Sequence, residues 1–426
     1  MALGGGTFVS QNKVLPGTYI NVVSAVPDKN ENSRGIATMP LELDWGPDGK
    51  VFRLEASDLE ENALKLFGYK HNHNSLVNVR EIFKHAHVVY FYKINSGGSA
   101  ASNTYAEAKC KGTRGNSIKI IIKKNVDDNT KYNVETVIDT TIVDIQVVGS
   151  ASELVSNDFV EFKTDATLAE AAGTVLSGGT NGTASGESHK AYMDAMESYQ
   201  FNVMGVMTKE NDIKKVYAEY TKRMRNELGI KFQCVLYDCQ ADSEGIINVK
   251  NGTEVIPWIT GAQAECNLNH SCTNMLYDGE LEIDGAYTQA QLETAINAGE
   301  FVLHRCGMNI RVLTDINSLV TTTEDKNELF KSNQTIRVID QLASDTAALF
   351  NEKYIGSVLN DDNGRASLWA DIVAMHKELV TIGAIENFSD SDVIVSKGQG
   401  KGKVVINDTI TVSGTMEQLY MTVVIQ

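Results

Sequence analysis

Positively charged residues are scarce relative to acidic ones in this chain of 426 residues. Lys and Arg number 38 against 55 Asp and Glu, which leaves a formal net charge of −17. With this balance there is no basic field to attract the phosphates of a nucleic acid or the headgroups of an anionic membrane. We therefore expect neither nucleic acid nor membrane among the partners of this protein.

Long apolar runs and cysteine frameworks are also missing. No window approaches the ~18 apolar residues that a membrane-spanning helix needs, and the opening MALGGGTFVSQ has neither the basic nor the apolar region of a signal peptide. The six cysteines, none of them in a CxxC pair, stand at positions 110, 234, 239, 266, 272 and 306. These features predict a protein that stays in the cytosol, with reduced, partly buried thiols and no disulfides.

Sequence patterns of catalytic and metal sites are absent as well. The chain has no GxSxG elbow, no HExxH motif and no kinase motif set. Three groups contain possible zinc ligands without the spacing that tetrahedral zinc requires: His71 with His73, His85 with His87, and Cys266 with His270 and Cys272. The sequence predicts no catalytic residue, no metal and no cofactor, so we do not expect an enzyme.

Helix and strand patterns alternate through much of the chain, of which 42% is hydrophobic. Residues 201–207 and 232–237 are β-prone, and an apolar stripe from Ile213 to Leu228 recurs between them at helical spacing. A strand, a helix and a strand in this order predict a βαβ unit.

Two pairs of residues have the spacing of a capping box, in which a hydroxyl side chain and a residue three positions later begin a helix together. These are Ser57 with Glu60 and Thr288 with Gln291. Each pair predicts a helix that begins directly after its hydroxyl residue.

A β-rich segment interrupts the alternation. It begins at GGSAAS, residues 97–102, and ends at LSGGTNGTASG, residues 176–186. Between these borders, helix patterns are weak and four β-prone runs follow one another: 117–122, 132–138, 141–148 and 159–162. The segment is predicted to be a small inserted β domain.

Two amphipathic helices are predicted after this region, over residues 336–350 and 368–382. On the first helix, Asp340, Ser344 and Asp345 are expected to face water. Three short β runs follow, at 393–395, 404–406 and 410–412. The last run, residues 419–425, is strongly β-prone and predicts an edge strand that needs a partner.

These patterns predict an α+β and α/β multidomain fold. An α/β core carries an inserted small β domain, a C-terminal α+β domain, and extended N- and C-terminal β arms. The expected boundaries are 1–23 for the N-terminal arm, 24–96 and 181–330 for the core, 97–180 for the inserted domain, 331–415 for the C-terminal domain and 416–426 for the C-terminal arm.

The glycine-rich stretch GGTNGTASGESHK, residues 178–190, lies between a possible strand and a helix, where nucleotide-binding folds cradle phosphates. It lacks both the Gly-Lys-Ser/Thr ending and the GxGxxG spacing. An interdomain loop is the simpler interpretation, but a nucleotide-binding α/β enzyme remains one alternative. A monomeric binding module that recognises a ligand through the inserted β domain is another.

Eight motifs in one order give the chain a resemblance to a known family. They are PGTYINV (16–22), LDWGPDG (43–49), AKCKGTRGNSIKI (108–120), LSGGTNG (176–182), TDINSL (314–319), IRVIDQLASD (336–345), YIGSVLNDDNGR (354–365) and YMTVVI (420–425). Together they resemble the contractile phage tail sheath family, especially the sheaths of PBSX-like prophages and phage-tail bacteriocins.

The resemblance implies a structural protein without cofactor or nucleotide. Such a protein forms a homo-oligomer, a helical stack of hexameric rings around an inner tail tube protein, together with baseplate and tail terminator proteins. It is assembled in the bacterial cytoplasm and becomes part of the phage tail or tail-like particle after release. When the baseplate triggers it, the sleeve contracts and drives the tube through a cell envelope.

The resemblance also implies that both terminal arms add strands to the C-terminal domain of other subunits. The residues expected in these inter-subunit strands are Thr18, Tyr19, Ile20, Val22, Leu419, Tyr420, Met421, Thr422, Val423, Val424 and Ile425.

Overall fold

A mixed sheet of seven strands forms the centre of the computed structural model, which describes residues 34–425. The strands are β1 (Ile36–Leu41), β2 (Val51–Glu55), β3 (Val88–Lys93), β4 (Ala100–Ser102), β5 (Ala106–Lys111), β6 (Ile118–Lys124), β7 (Tyr132–Ile138), β8 (Thr141–Val148), β9 (Val160–Phe162), β10 (Ala171–Val175), β11 (Val203–Gly205), β12 (Gln233–Tyr237), β13 (Ile246–Val249), β14 (Glu300–Phe301), β15 (Leu303–Cys306), β16 (Asn309–Val312), β17 (Ile385–Glu386), β18 (Val393–Lys397), β19 (Val404–Asp408) and β20 (Thr411–Val412). The helices are α1 (Leu59–Phe67), α2 (Val77–Ile82), α3 (Gly186–Met196), α4 (Asn211–Arg223), α5 (Ile256–Glu265), α6 (Gln289–Asn297), α7 (Asn333–Leu349) and α8 (Asp362–Thr381). None of the helices in the described range is long and apolar enough to cross a membrane.

The central sheet has the strand order β14-β13-β12-β11-β1-β3-β2, and every pair is parallel except β2 with β3. The predicted βαβ unit is confirmed as β11, α4 and β12. Helices α1, α2 and α5 pack on one face of the sheet, and α3 and α4 pack on the other. Because both faces are covered, the central strands are apolar without alternation.

Helix α5 is buried around its whole circumference. Its residues from Ile256 to Ala264 are all buried, and the indole N–H of Trp258 donates to Asp278 at 2.7 Å. A helix in this position needs no polar face and therefore shows no amphipathic stripe in the sequence. For this reason the helical periodicity that predicts α4 does not predict α5.

Residues 97–180 contain two antiparallel sheets packed over one hydrophobic core. Strands β10-β6-β7-β8 form the first sheet and β4-β5-β9 the second, and the four predicted β runs are confirmed as β6, β7, β8 and β9. Trp45, from the loop after β1, is fully buried in the same core, with its ring 6.3 Å from that of Phe159. The β-rich segment thus shares its core with a residue of the α/β part.

The glycine-rich borders of this segment pack against each other. Ser99 and Thr180 exchange two backbone hydrogen bonds of 3.1 Å. Gly112 lies so close to Asp44 that a Cβ atom there would come within 2.0 Å of the Asp44 carbonyl oxygen. The neighbouring Arg114 amide donates to that same oxygen at 3.1 Å. The borders therefore form a tight joint and not flexible linkers.

The C-terminal part contains α7, α8, a hairpin of β18 and β19, and a small sheet of β17 and β20. Both predicted amphipathic helices are confirmed, and with them the multidomain α+β and α/β fold. The expectation that Asp340 faces water is wrong. Asp340 is buried and accepts two hydrogen bonds from Arg225, of 2.6 and 2.8 Å.

The two predicted capping boxes have different outcomes. Thr288 accepts from the amide of Gln291, whose side chain accepts from the amide of Thr288, so this box is confirmed. The box at Ser57 is wrong, because Ser57 lies inside a 3-10 turn, Ala56–Asp58, and donates to Asp58. The chain enters α1 from that turn with Asp58 already helical, which leaves no extended residue to act as the cap.

Candidate assembly surface

The C-terminal segment is held at its root and is unattached beyond it. The side-chain amide of Gln334 donates to the Ser413 carbonyl at 3.1 Å, and the hydroxyl of Thr273 donates to Glu417 at 2.8 Å. Within the described chain, the one hydrogen bond of residues 418–425 joins two of their own side chains. The segment therefore leaves the fold at Glu417.

The C-terminal residues predicted to join subunits are all exposed: Leu419, Tyr420, Met421, Thr422, Val423, Val424 and Ile425. Leu419 is 86% and Ile425 92% exposed, and none of the seven belongs to a strand of this chain. A continuous row of exposed apolar side chains is typical of a surface that a partner covers. The N-terminal residues of the same prediction, Thr18, Tyr19, Ile20 and Val22, lie outside the described residues.

The hairpin of β18 and β19 has two open edges, since no third strand of the described chain pairs with it. The Gly398 amide donates to the Lys403 carbonyl at its closed end. Hydrogen-bonded and non-hydrogen-bonded pairs alternate from there, so the opposed residues Val395 and Ile406 point their backbone groups outward. Each outer edge can accept a further strand.

The inner face of the hairpin packs on α8. Val395 and Ile406 contact the same hydrophobic cluster as Leu368 and Ile372. On the outer face, Ile394 is exposed. The hairpin is thus supported from one side. At the edge of β18 the Trp369 indole donates to the Val393 carbonyl at 3.1 Å, and the outward backbone groups of Val395 and Ile406 pair with no strand of the described chain.

An ion pair fastens β19 to α8. The ring of His376 is fully buried and stacks on Phe388, with Nδ1 2.7 Å from the Ile372 carbonyl and Nε2 2.9 Å from Asp408. Burial alone would lower the pKa of His376, but the bonds to Asp408 and to the Ile372 carbonyl outweigh it and raise the pKa above its ordinary value. Both ring nitrogens face acceptors, which favours the doubly protonated imidazolium.

A buried polar cluster joins α7 to the α/β part. Arg337 donates to Asp315 at 2.8 Å, and both side chains are almost inaccessible to water. Asp315 also accepts from Gln263, Asn333 and the Cys272 amide. Burial would raise the pKa of Asp315, but Arg337 and these donors hold it below its ordinary value. We call this cluster the Arg337 joint.

The glycine-rich stretch 178–190 shows no free anion site at the start of α3. Ser185 and Ser188 cap each other there, so side chains of the protein occupy the first turn. Nucleotide folds bind their ligands at the carboxyl ends of the central strands. In this protein a cavity of about 320 Å³ at that edge is lined by the carboxylates of Glu42 and Asp44, which would repel phosphate. The geometry gives no support to the nucleotide-binding alternative.

The candidate metal ligands are engaged in protein contacts. His85 lies between Glu265 and Asp278, at 2.9 and 3.1 Å. The Cys266 thiol donates to the His270 carbonyl at 3.6 Å, and the Cys272 thiol donates to the Ala262 carbonyl at 3.8 Å. Among residues 34–425, no group of three or more His, Cys, Asp or Glu side chains is arranged to hold a metal ion.

Family comparisons cover almost the whole described chain. Residues 34–94 match the Gp18 domain III N-terminal region of tail sheath proteins, 96–181 the phage tail sheath β-sandwich domain, 182–318 the central domain and 325–426 the C-terminal domain. The phage-like element PBSX protein XkdK of Bacillus subtilis (strain 168) is 30% identical over 99% of both chains. The chain belongs to the phage tail sheath family. The resemblance predicted from the eight motifs is confirmed.

Solved structures of sheath proteins share this fold. The sheath tail protein of Desulfitobacterium hafniense is 32% identical, with a TM-score of 0.83 over 94% of this chain and 98% of its own. The contracted helical sheath of the anti-feeding prophage is 11% identical, with a TM-score of 0.57 over 96% of this chain and 98% of its own, and shows the fold alone. This chain is thus a phage tail sheath protein, and sheath families are structural proteins.

Four of the eight motifs of the sheath protein meet at two of its internal joints. LDWGPDG and GTRGN meet where Asp44 contacts Gly112 and Arg114. TDINSL and IRVIDQLASD meet in the Arg337 joint, through Asp315 and Arg337. The sequence contains these motifs but does not by itself predict the ion pair. The available signal was Arg337, which stands between the apolar residues Ile336 and Val338, since charges are rarely buried unless they are paired.

Proposed function

We propose that the sheath protein polymerises as stacked hexameric rings into a helical sleeve around an inner tail tube, and that contraction of the sleeve drives the tube through a cell envelope. Membership of the sheath family supports the sleeve. The observation that carries the proposal in this chain is the exposed apolar row 419–425, which has no strand partner among the described residues 34–425.

In this proposal, subunits are joined by strand addition. Residues 419–425 of one subunit and the strand containing Thr18, Tyr19, Ile20 and Val22 of another add to the open edges of the β18–β19 hairpin of a third. Side chains alternate along an added strand, so Leu419, Met421, Val423 and Ile425 share one mainly apolar face. Each backbone hydrogen bond contributes a net ~1 kcal/mol. One link is therefore weak, and closed rings of links make the sleeve durable.

The proposed partners are further copies of this chain, the inner tail tube protein, and the baseplate and tail terminator proteins. Assembly takes place in the bacterial cytoplasm, and the sleeve is part of a phage tail or tail-like particle after release. Neither nucleic acid nor membrane is a proposed partner, in keeping with the net charge of −17. No catalytic residue, metal or cofactor is part of the proposal, because conformational change of the sleeve supplies the work.

Truncation of the arm tests the proposal. Ending the chain at Glu417 keeps β20 and the hydrogen bond to Thr273 and removes the exposed row. We expect a folded subunit by circular dichroism that forms no tubes in negative-stain micrographs, whereas the full chain forms long striated tubes. Tubes of normal length from the truncated chain would contradict strand addition. Small uniform particles from the full chain would contradict the sleeve and favour a monomeric binding module.

A point variant makes the same test within the full-length chain. Val423→Pro removes one amide donor from the added strand and is expected to abolish tubes. Val423→Ala is the matched control, since it shortens the same side chain and keeps the amide. If both variants lose tubes equally, side-chain burial and not backbone pairing joins the subunits.

A further inference from the structure

Two cysteines lie close together beneath α7. Cys266 ends α5 and is partly exposed, and Cys272 is buried six residues later. The Ala262 carbonyl accepts from the Cys266 amide at 3.0 Å and from the Cys272 thiol at 3.8 Å, which places the two cysteines side by side. The Cys266 sulfur lies 3.6 Å from the His270 carbonyl, so the chain between the two cysteines is folded back into a tight loop. We call residues 266–272 the thiol loop.

The thiol loop supports the joint that seats α7. The His270 carbonyl accepts from Arg337 at 3.0 Å, and the Cys272 amide donates to Asp315 at 2.9 Å. Leu268 packs in the cluster beneath α7 and α8. Thr273, directly after the loop, donates to Glu417 at the root of the C-terminal arm. A constraint on this loop therefore reaches both the Arg337 joint and the arm root.

We propose that Cys266 and Cys272 form an intrachain disulfide after the particle leaves the reducing cytosol, and that this bond stiffens the support of α7 and of the C-terminal arm. The step from a reducing to an oxidising environment rests on the proposed function, in which the sleeve is assembled inside the cell and released. Thiols of cytosolic proteins are otherwise kept reduced.

The chemistry needs a disulfide oxidant, for which glutathione disulfide serves. The Cys266 thiolate attacks one sulfur of glutathione disulfide, breaks its S–S bond and expels one glutathione thiolate. The Cys272 thiolate then attacks the Cys266 sulfur of the mixed disulfide and expels the second. The protein loses two electrons and two protons, and one oxidant molecule becomes two glutathione thiols.

The surroundings of the pair set the order of these steps. Cys266 is the thiol that an oxidant in solution can reach, because Cys272 is buried. The neighbouring Cys266 thiol and burial raise the pKa of the Cys272 thiol well above its ordinary value, so its thiolate is scarce in the reduced protein and Cys266 reacts first.

Counting thiols tests the proposal on the purified full-length chain. The protein is incubated with reduced glutathione or with glutathione disulfide, denatured in excess N-ethylmaleimide and weighed by mass spectrometry. All six cysteines take up label after reduction, and we expect two fewer labels after oxidation, together with a peptide pair linked through Cys266 and Cys272. The oxidised protein is expected to unfold at a temperature about 2–5 °C higher.

Two variants locate the bond. Cys266→Ser is expected to abolish both the loss of labels and the rise in unfolding temperature. Cys306→Ser, which changes an exposed cysteine on another hairpin, is expected to leave both unchanged. Full labelling after prolonged oxidation, or a loss of labels that persists in Cys266→Ser, overturns the proposal. The label count does not depend on tubes, so its outcome is separate from that of the proposed function.

Discussion

The Arg337 joint places an ion pair where water hardly reaches. Both charges lose their hydration when the protein folds, so such a pair adds little stability over apolar side chains of the same shape. Loss of one partner is far more costly, because the other charge is left buried and uncompensated. We infer that Arg337 and Asp315 determine where α7 sits, and contribute less to how strongly it is held.

Asp315→Asn is expected to reduce the free energy of unfolding by about 3–5 kcal/mol, since Arg337 then keeps its charge without a buried counterion. Urea denaturation of the chain ended at Glu417 measures the change without interference from polymer. Asp390→Asn is the matched control, because Asp390 pairs with Lys377 and both side chains are at least half exposed. In Asp390→Asn we expect the free energy of unfolding to fall by about 0–1 kcal/mol. Similar losses in the two variants would argue against the joint.

His376 makes stability depend on pH with a definite sign. Its pKa is raised in the folded protein, so folding favours the protonated ring. The ion pair with Asp408 contributes fully below about pH 6.5, the ordinary value for histidine, and its contribution is lost as the pH rises through the folded pKa. We expect the free energy of unfolding to fall over that interval.

The free energy of unfolding should depend less on pH in His376→Gln, because glutamine can still form hydrogen bonds but does not titrate. His73→Gln changes an exposed histidine and should leave this dependence unchanged. Urea denaturation of the chain ended at Glu417, from about pH 5.5 to 9, compares the three proteins. If the free energy of unfolding depends on pH equally strongly in His376→Gln, other titratable groups cause this dependence.

At the scale of elements, the β-rich segment shares its core with Trp45, a residue outside the segment. Ser99 and Thr180 are hydrogen-bonded neighbours, so a short Gly/Ser linker can replace residues 100–179 without moving the chain ends. The deletion nevertheless uncovers Trp45, which lies in the core of the segment. The adjacent borders therefore allow the segment to be deleted, but the deletion exposes a residue of the shared core.

We expect the deletion of residues 100–179 to give thinner tubes, and to give more soluble protein when combined with Trp45→Gln. Burial of an indole stabilises the intact fold, whereas its exposure promotes aggregation. The soluble fraction and the tube diameter in micrographs measure the two effects. A folded deletion variant that never assembles would mean that the segment makes contacts between subunits.

An element could be predicted from the sequence when it has one apolar and one polar face. Helices α4, α7 and α8 carry an apolar stripe and were found by periodicity, and β6 to β9 were found by their β-branched runs. Helix α5 is buried on all sides and left no such signal. The burial of Asp340 depends on Arg225, 115 residues away in sequence, and no local pattern contains that contact.

The candidate assembly surface remains a prediction, and part of it follows from the sequence pattern alone. Residues 419–425 are exposed in this chain, but their strong β propensity has no partner nearby in sequence, which is itself the signal of a strand completed elsewhere. The open edges of β18 and β19 follow from the sheet pairing, which appears only in three dimensions.

For the molecule as a whole, each copy carries a formal net charge of −17. Copies therefore repel one another before their strands can pair, and salt screens this repulsion within about 10 Å at 0.1 M. Strand addition rests on backbone bonds and apolar contacts that salt does not weaken. Assembly should accordingly respond to ionic strength.

We expect the fraction of sedimenting polymer to rise as sodium chloride increases from about 10 to 150 mM, because the Debye length falls from ~30 to ~8 Å. Sucrose at equal osmolality is the control, since it does not screen charge. A fraction that falls with added salt would point instead to ion pairs between subunits.

The hydrogen bond between Thr273 and Glu417 also limits how far the C-terminal arm can reach from its own subunit. Residues 418–425 span at most about 29 Å when fully extended, so a hairpin on another subunit must lie within that radius of Glu417 to receive them. As long as the arm stays added to that hairpin, the hairpin can move only within a sphere of this radius around Glu417 of the subunit that supplies the arm. In the proposed sleeve, the arm thus permits large changes of angle between subunits while it limits their separation, which is compatible with a sleeve that shortens and widens without coming apart.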